Sequence, residues 1–128
     1  MVNIVRISIK RSFVPESDPF TDFCRLSGVC SSLDRQNIAM KILQLLYKYE
    51  SLNSTDLSKL TGMSRGAILN HLENLMESGF VFKYGKEYFL REKSFEKIVD
   101  LIEKDLLRTV TKMKQYAKLI DTALEEEM

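Results

Sequence analysis

Apolar residues recur at every third or fourth position through most of the chain, which predicts a mainly helical protein. The first clear helix follows a predicted cap at Asp34, with Gln36 and Asn37 in its first turn. Its apolar stripe consists of Ile38, Ile42, Leu45, Leu46 and Tyr49. Residues 51–56 then break this pattern.

A short helix and a tight turn come next. Ser54 is predicted to cap the segment TDLSKLT, in which Leu57 and Leu60 form an apolar pair. Gly62 is predicted to end this helix, because glycine adopts the left-handed conformation common after a helix without a Cβ penalty.

A third helix is predicted from Ser64, its cap, to about Ser78, and Gly79 ends it in the same way. Its buried stripe is predicted to be Ile68, Leu72, Leu75 and Met76.

A hairpin and a long helix complete the chain. In FVFKYGKEYFL, residues 80–90, Phe80, Phe82, Tyr84, Tyr88 and Leu90 fit two strands around a tight YGKE turn. From Ser94 to about Glu127 the chain lacks proline and glycine, and an apolar stripe spans roughly eight turns.

The N-terminal part is different. Residues 2–10 alternate apolar and polar positions, which predicts a strand. Ser17 or Asp18 is then predicted to cap a short helix that has Pro19 in its first turn and ends near Gly28.

The order of helix, short helix, tight turn, helix and hairpin predicts a winged helix-turn-helix in a mostly α fold with a small β-hairpin (α+β). Three parts are expected: an N-terminal extension over 1–30, a winged helix-turn-helix DNA-binding domain over 31–91, and a long C-terminal dimerisation helix over 92–128. The helix over 64–78 is the candidate recognition helix, and the hairpin over 80–91 is the candidate wing.

Three segments carry a family resemblance: LDRQNIAMKILQLL, STDLSKLTGMSRGAILNHLENLMESGFV and KEYFL. They resemble the ArsR-type winged-helix transcriptional regulators and their MarR-like relatives over about residues 33–91. The N-terminal extension of roughly 30 residues departs from that pattern. The resemblance implies a homodimer that binds double-stranded DNA at specific sequences, and repression is the commoner activity in that family.

Polar and small side chains off the buried stripe of the third helix are the candidates for DNA contact. Arg65 can donate two hydrogen bonds to guanine, and Asn70 can bond adenine or a phosphate. Ser64 and the backbone N–H groups after it can hold a phosphate. The full set on this helix is Ser64, Arg65, Gly66, Ala67, Asn70, His71 and Asn74. The alternative is that these residues are simply exposed to solvent.

Two residues of this helix remain ambiguous. The resemblance puts His71 on the DNA-facing side, while a structural histidine is the alternative and a metal ligand is not supported. Leu69 lies beside the core stripe and either contacts a thymine methyl or packs.

On and beside the wing, Lys83, Tyr84, Lys86 and Lys59 suit backbone or minor-groove contact.

The long helix predicts a dimer, because a winged-helix core of this size cannot cover an apolar stripe of that length. The predicted dimerisation residues are Phe95, Ile98, Ile102, Leu106, Val110, Met113 and Ile120. Pairing would set two recognition helices about one turn of DNA apart. The alternative is that the stripe packs against the N-terminal strand and helix of the same chain.

The net charge and the two cysteines limit how the protein can bind DNA or a metal ion. The net charge is only +1, so DNA binding must rest on local patches, and we expect modest affinity with a shallow salt dependence. Cys24 and Cys30 are expected to be free thiols, a disulfide between them being the alternative, and they make a poor metal site.

Motifs that the sequence lacks argue against several other functional classes. There is no P-loop, dinucleotide fingerprint or nucleophile elbow, so no enzyme, cofactor or metal is predicted. The resemblance implies that metal-sensing relatives often carry cysteines on the helix before the recognition helix, or pairs of histidine and aspartate on the last helix. Here the segment TDLSKLT has no cysteine and the last helix has no histidine, so we expect a non-metal-sensing variant whose effector is open. Without a membrane span or signal peptide, a cytoplasmic, nucleoid-associated protein is expected. The competing hypothesis is a winged-helix protein–protein interaction module that does not bind DNA.

Overall fold

The computed structural model describes residues 18–30 and 37–127. The strand predicted over 2–10 and the predicted first-helix residues Asp34 and Gln36 lie outside these ranges. In chain order the described elements are α1 (Pro19–Leu26), α2 (Ile38–Tyr49), β1 (Ser51–Leu52), α3 (Ser54–Thr61), α4 (Arg65–Glu77), β2 (Val81–Tyr84), β3 (Glu87–Leu90) and α5 (Phe95–Glu126). The predicted winged helix-turn-helix followed by a long helix is confirmed.

The wing is part of a three-stranded antiparallel sheet with the order β1-β3-β2. The predicted hairpin is present, and Tyr84 pairs with Glu87 across a two-residue turn. Gly85 opens that turn with a φ of +64°, the conformation that a type II′ hairpin turn requires at its first central position. Strand β1, in which Leu52 pairs with Tyr88, was not predicted, because two residues are too few to show a period.

The hydrophobic core lies where α2, α3 and α4 meet the base of the sheet. Its fully covered side chains include Ile42, Leu43, Leu57, Ile68, Leu72, Leu75, Phe80 and Ile98. Two side chains that were predicted to point into the core lie at the surface instead. Leu60 is 50% exposed, because the two-turn helix α3 offers its one fully buried position to Leu57, and Tyr49 is exposed at the last residue of α2.

Two predicted helix starts are wrong, by one residue for α3 and by three residues for α2. The side chain of Asn53, not Ser54, caps α3, with Oδ1 accepting a 2.7 Å hydrogen bond from the backbone N–H of Asp56. Extended backbone at Asn53 aims its side chain at that N–H, whereas Ser54 is already helical and buried. Asn37 does not lie in the first turn of α2 but precedes it, in the left-handed conformation and without a side-chain cap.

Helix α1 ties the N-terminal part to the rest of the fold. Asp18 caps it, as predicted, by accepting from the backbone N–H of Phe20. The Phe23 ring meets the rings of Phe80 and Phe95 edge-on, each at a centroid separation of 5.8 Å. Contacts therefore join α1 to the entry of the wing and to the start of α5.

The two cysteines are bonded to each other, in contrast to the free thiols that we expected. The chain turns back after α1 through Gly28, whose φ is +75°, and the Cys30 N–H donates to the Cys24 carbonyl. This brings the two Cα atoms to 5.1 Å, within disulfide range. Both side chains lie in the hydrophobic core.

Candidate nucleic-acid interface

The turn between α3 and α4 is fixed by hydroxyl groups as well as by glycine. Gly62 ends α3 in the left-handed conformation with φ +73°, as predicted. Ser58 Oγ donates to the Met63 carbonyl at 2.6 Å, and Thr61 Oγ1 accepts from the Met63 N–H at 3.3 Å. Ser58 and Thr61 were not among the predicted site residues, although short polar side chains beside a helix-ending glycine are a usable signal of such local bonds.

The same turn sets the start of α4. Ser64 caps this helix as predicted, with its hydroxyl accepting a 3.2 Å hydrogen bond from the Ala67 N–H. On the opposite side, Ile68, Leu72 and Leu75 are fully buried, which confirms most of the predicted stripe. Helix α4 is therefore held along one face, and its first turn projects from the body of the fold.

The predicted contact residues of α4 share the side away from the core. Ser64, Arg65, Gly66, Asn70 and Asn74 are exposed, and Ala67 and His71 are half-buried at the margins. Leu69 is exposed next to them, so it does not pack into the core of the chain. The arrangement presents hydrogen-bond donors and acceptors on a narrow surface that has little bulk near its N-terminal end.

Arg65 is held by a residue that the sequence analysis assigned to another role. Its Nε donates a 3.2 Å hydrogen bond to Ser54 Oγ, and Ser54 is buried at the start of α3. This bond restrains the side chain but uses only one of the five N–H donors of the guanidinium group. The terminal Nη1 and Nη2 groups keep the planar fork that recognises guanine or phosphate.

The wing presents three of the predicted contact residues. Lys83, Tyr84 and Lys86 are exposed, and Tyr84 is the most exposed aromatic residue among those described. Lys83 Nζ lies 5.5 Å from the ring centroid of Tyr88, its partner across the strands. Lys59 is exposed in the last turn of α3.

Acidic groups limit the positive charge of this surface. Glu73 is exposed and Glu77 half-buried on the C-terminal half of α4. On the wing, Glu87 has a buried Oε2 atom that finds no hydrogen-bond partner among the described residues. Carboxylates this close to the candidate interface oppose the approach of phosphate groups.

A salt-bridge cluster connects the base of the wing to α5. Arg91 Nη1, just after β3, donates to Asp105 Oδ2 at 2.8 Å, and Arg108 donates to the other carboxylate oxygen. Burial raises the pKa of Asp105, but the hydrogen bonds and charges of the two arginines outweigh it and hold that pKa below its ordinary value of 3.8. The wing and the first turns of α5 are thereby joined.

Helix α5 has two parts with different surroundings. Ile98 and Ile102 of the predicted dimerisation set lie in the core of the chain itself, and Phe95 and Leu106 are half-buried. Val110, Met113 and Ile120 are exposed, as is Leu124. The first part anchors the helix and the second extends an apolar surface into solvent.

Neither a metal-binding cluster nor a membrane-spanning helix is found among the described residues. No group of three or more histidine, cysteine, aspartate or glutamate side chains in 18–30 and 37–127 is placed to hold a metal ion. Within the same ranges, no helix combines the length and apolar character that crossing a bilayer requires.

The fold and the exposed face of α4 define a winged helix-turn-helix protein. Comparison with known families agrees: residues 38–83, which run from the start of α2 into β2, match the family described as "Bacterial regulatory protein, arsR family". The match supports an ArsR-type helix-turn-helix domain and points to a DNA-binding transcription regulator. Neither the curated proteins nor the solved structures compared with the chain gave a match.

Proposed function

We propose that the protein is a homodimeric transcription regulator that binds specific sequences of double-stranded DNA and acts as a repressor. One observation carries the proposal: within a matched helix-turn-helix segment, α4 is packed along one face and exposes a polar, sparsely filled first turn on the other. That is the geometry with which a recognition helix enters the major groove.

Each part of the candidate surface has a role in this proposal. Arg65 and Asn70 read base edges, and Ser64 with the free N–H groups of the first turn of α4 binds a phosphate. Gly66 and Ala67 allow close approach, and His71 and Asn74 line the contacted side. Lys83, Tyr84 and Lys86 of the wing, with Lys59, contact the sugar–phosphate backbone.

Self-association rests on the exposed part of α5. Val110, Met113 and Ile120 form an apolar surface that a second copy would cover, and the symmetry would present two recognition helices to a pseudo-palindromic site. In this arrangement residues 31–91 bind DNA, residues 92–128 dimerise, and residues 1–30 form an extension that contacts both through Phe23.

The regulator is proposed to be a MarR-related, cytoplasmic and nucleoid-associated protein that does not sense metals. The cysteine-free helix α3 and the absence of histidine from α5 support the last point.

Fluorescence anisotropy with labelled duplex DNA tests the proposal. A random-sequence duplex should bind at low salt, and rounds of selection from a random pool should enrich one pseudo-palindromic sequence. Binding should weaken with salt, with a slope that corresponds to a handful of phosphate contacts. No binding at tens of micromolar protein and low salt would refute it and would favour a winged-helix module that contacts another protein.

A further inference from the structure

The exposed part of α5 has the spacing of a two-stranded coiled coil. From Leu106 onward the apolar positions alternate steps of four and three residues: Leu106, Val110, Met113, Ala117, Ile120 and Leu124. An average step of about 3.5 residues is the heptad repeat, in which two helices pack along a shared seam. Since Met113 is 63% and Ile120 is 57% exposed, the described chain leaves this seam uncovered.

The charges beside the seam are divided into two blocks. Between residues 108 and 118 every charged residue is basic: Arg108, Lys112, Lys114 and Lys118. Between residues 119 and 127 every charged residue is acidic: Asp121, Glu125, Glu126 and Glu127. In a parallel pair, the basic block of one copy would lie beside the basic block of the other, and the acidic blocks would also lie together. In an antiparallel pair, the basic block of each copy lies beside the acidic block of the other.

We infer that α5 of a second copy covers the part of this seam from Met113 to Leu124 in the antiparallel direction, with Leu106 and Val110 preceding the paired segment; the inference rests on the proposed homodimer and adds its geometry. A register that seats Met113 against Leu124, and Ala117 against Ile120, keeps the apolar residues of the two copies together in layers. The same register sets the basic block of each copy along the acidic block of the other. The structure thus selects both the partner and its direction.

The residues flanking the seam fit the same register. Lys114 and Asp121 occupy equivalent positions on one flank, so that in the antiparallel pair Lys114 of one copy lies beside Asp121 of the other. On the opposite flank the large Tyr116 meets the small Ala123. In a parallel pair the two flanks would face each other, and Asp121 would lie beside Tyr116 without an opposite charge.

Antiparallel pairing changes the expected spacing of the two DNA-binding units. With a rise of about 1.5 Å per residue, the roughly 23 residues from Phe95 to the midpoint of the pair span about 35 Å. The starts of the two α5 helices then lie about 70 Å apart, the length of about two turns of DNA. We therefore expect half-sites about two turns apart, in place of the single turn that the sequence analysis predicted.

Cysteine cross-linking of the full chain tests the direction. The variants are Met113→Cys, Leu124→Cys and the double variant, with the unmodified chain as the control, since Cys24 and Cys30 are bonded to each other. On mild oxidation only the double variant should form a covalent dimer, because residues 113 and 124 meet only between antiparallel copies. Efficient cross-linking of either single variant would overturn the antiparallel direction and leave the homodimer intact.

Sedimentation of the unmodified chain separates the remaining outcomes. A monomer at tens of micromolar would overturn both this inference and the proposed homodimer, while DNA binding is measured independently. An antiparallel dimer that fails to bind DNA would leave this inference standing and refute only the proposed function.

Charge reversal provides a second test. Lys114→Asp and Asp121→Lys should each weaken the dimer by about threefold to tenfold, and combining them should restore the original dissociation constant to within about twofold. Lys112→Asp, which changes the charge equally but points away from the seam, is the matched control and should have the smaller effect. Failure of the double variant to recover would count against the antiparallel register.

Discussion

The Arg65–Ser54 hydrogen bond links the first turn of α4 to the start of α3 at the candidate interface. The two residues lie on different helices, and each has a plausible role of its own: Arg65 as a base reader and Ser54 as a cap. Only the α3–α4 turn brings the Arg65 guanidinium group within 3.2 Å of the Ser54 hydroxyl. The exposed polar residues of α4, by contrast, could be predicted from the sequence, because they are the residues outside the buried stripe of Ile68, Leu72 and Leu75.

Arg65→Ala separates base reading from backbone contact. If Arg65 bonds guanine, the variant should lose about 1–3 kcal/mol at one position of the selected site and bind mismatched sites with little further penalty. Lys86→Ala should instead weaken binding to all sequences and reduce the salt slope by about one. Both are measured by anisotropy over a salt series, and unchanged binding in both variants would contradict the proposed docking.

Ser54→Ala is the matching test of side-chain restraint. This variant keeps the guanidinium group but removes its hydrogen-bond acceptor, so sequence preference should weaken less than in Arg65→Ala while salt dependence stays the same. A thermal melt would show whether the buried hydroxyl also affects folding.

Asp105→Asn should lower the free energy of unfolding by about 1–2 kcal/mol at pH 7, because the carboxylate accepts hydrogen bonds from two arginines. The pKa of Asp105 in the folded chain lies below its ordinary value of 3.8, so this stabilisation is complete above that value and is lost as the pH falls through the folded pKa. The difference in stability between the two proteins should therefore begin to shrink as the pH falls below about 4 and should close only below the folded pKa of Asp105. Urea unfolding at fixed protein concentration measures this, and Asp100→Asn on the exposed side of α5 is the control.

At the scale of elements, the ends of α4 could be predicted from glycines and hydrophobic periodicity. Strand β1 and the disulfide could not, because both depend on how the chain folds back on itself. Gly62 and Gly79 bracket α4 as predicted, because both adopt positive φ at helix ends. Strand β1 was missed because its two residues form a strand only through pairing with β3. The disulfide was missed because six residues of spacing do not reveal that Gly28 turns the chain back on itself.

Two glycine substitutions in neighbouring elements should have opposite effects on stability. Gly62→Ala should destabilise the protein by about 1 kcal/mol, since an alanine there must adopt φ +73° although no atom crowds its Cβ. Gly66→Ala lies inside α4 with open space around it and should stabilise by about 0.5 kcal/mol through a less flexible unfolded chain. Chemical denaturation gives both values.

The same pair also tests docking. If the first turn of α4 enters the major groove, the added methyl of Gly66→Ala should weaken DNA binding while increasing stability. A variant that is more stable and binds DNA as well as the original would show that close approach at Gly66 is not needed.

At the scale of the whole molecule, the sequence predicted a long apolar helix but could not divide it between core and surface. Ile98 and Ile102 belong to the same stripe as Met113 and Ile120, yet the first pair is buried against the rest of the chain and the second is exposed. Periodicity marks the face of a helix, whereas the tertiary fold decides how far along that face the core extends.

Ile120→Asp and Leu119→Asp form a matched pair for the dimer. Their side chains are similarly exposed, 57% and 65%, but successive helix residues point about 100° apart, so only Ile120 lies on the seam. Ile120→Asp should shift the protein to monomer in sedimentation velocity runs, and Leu119→Asp should leave its association unchanged. Equal behaviour of the two variants would mean that this seam is not the dimer contact.

Because the base of α5 is anchored, the helix fixes both the distance and the rotation of the winged domain relative to the exposed part of α5. Phe95, Ile98 and the Asp105 cluster fix the first turns to the winged domain, and the helix continues to Glu126 without a break. One residue added between this base and the paired segment would rotate each domain by about 100° relative to the pair, whereas seven would return it to within about 20°. In the proposed dimer, the number of residues in α5 therefore sets which side of a bound DNA duplex each domain faces.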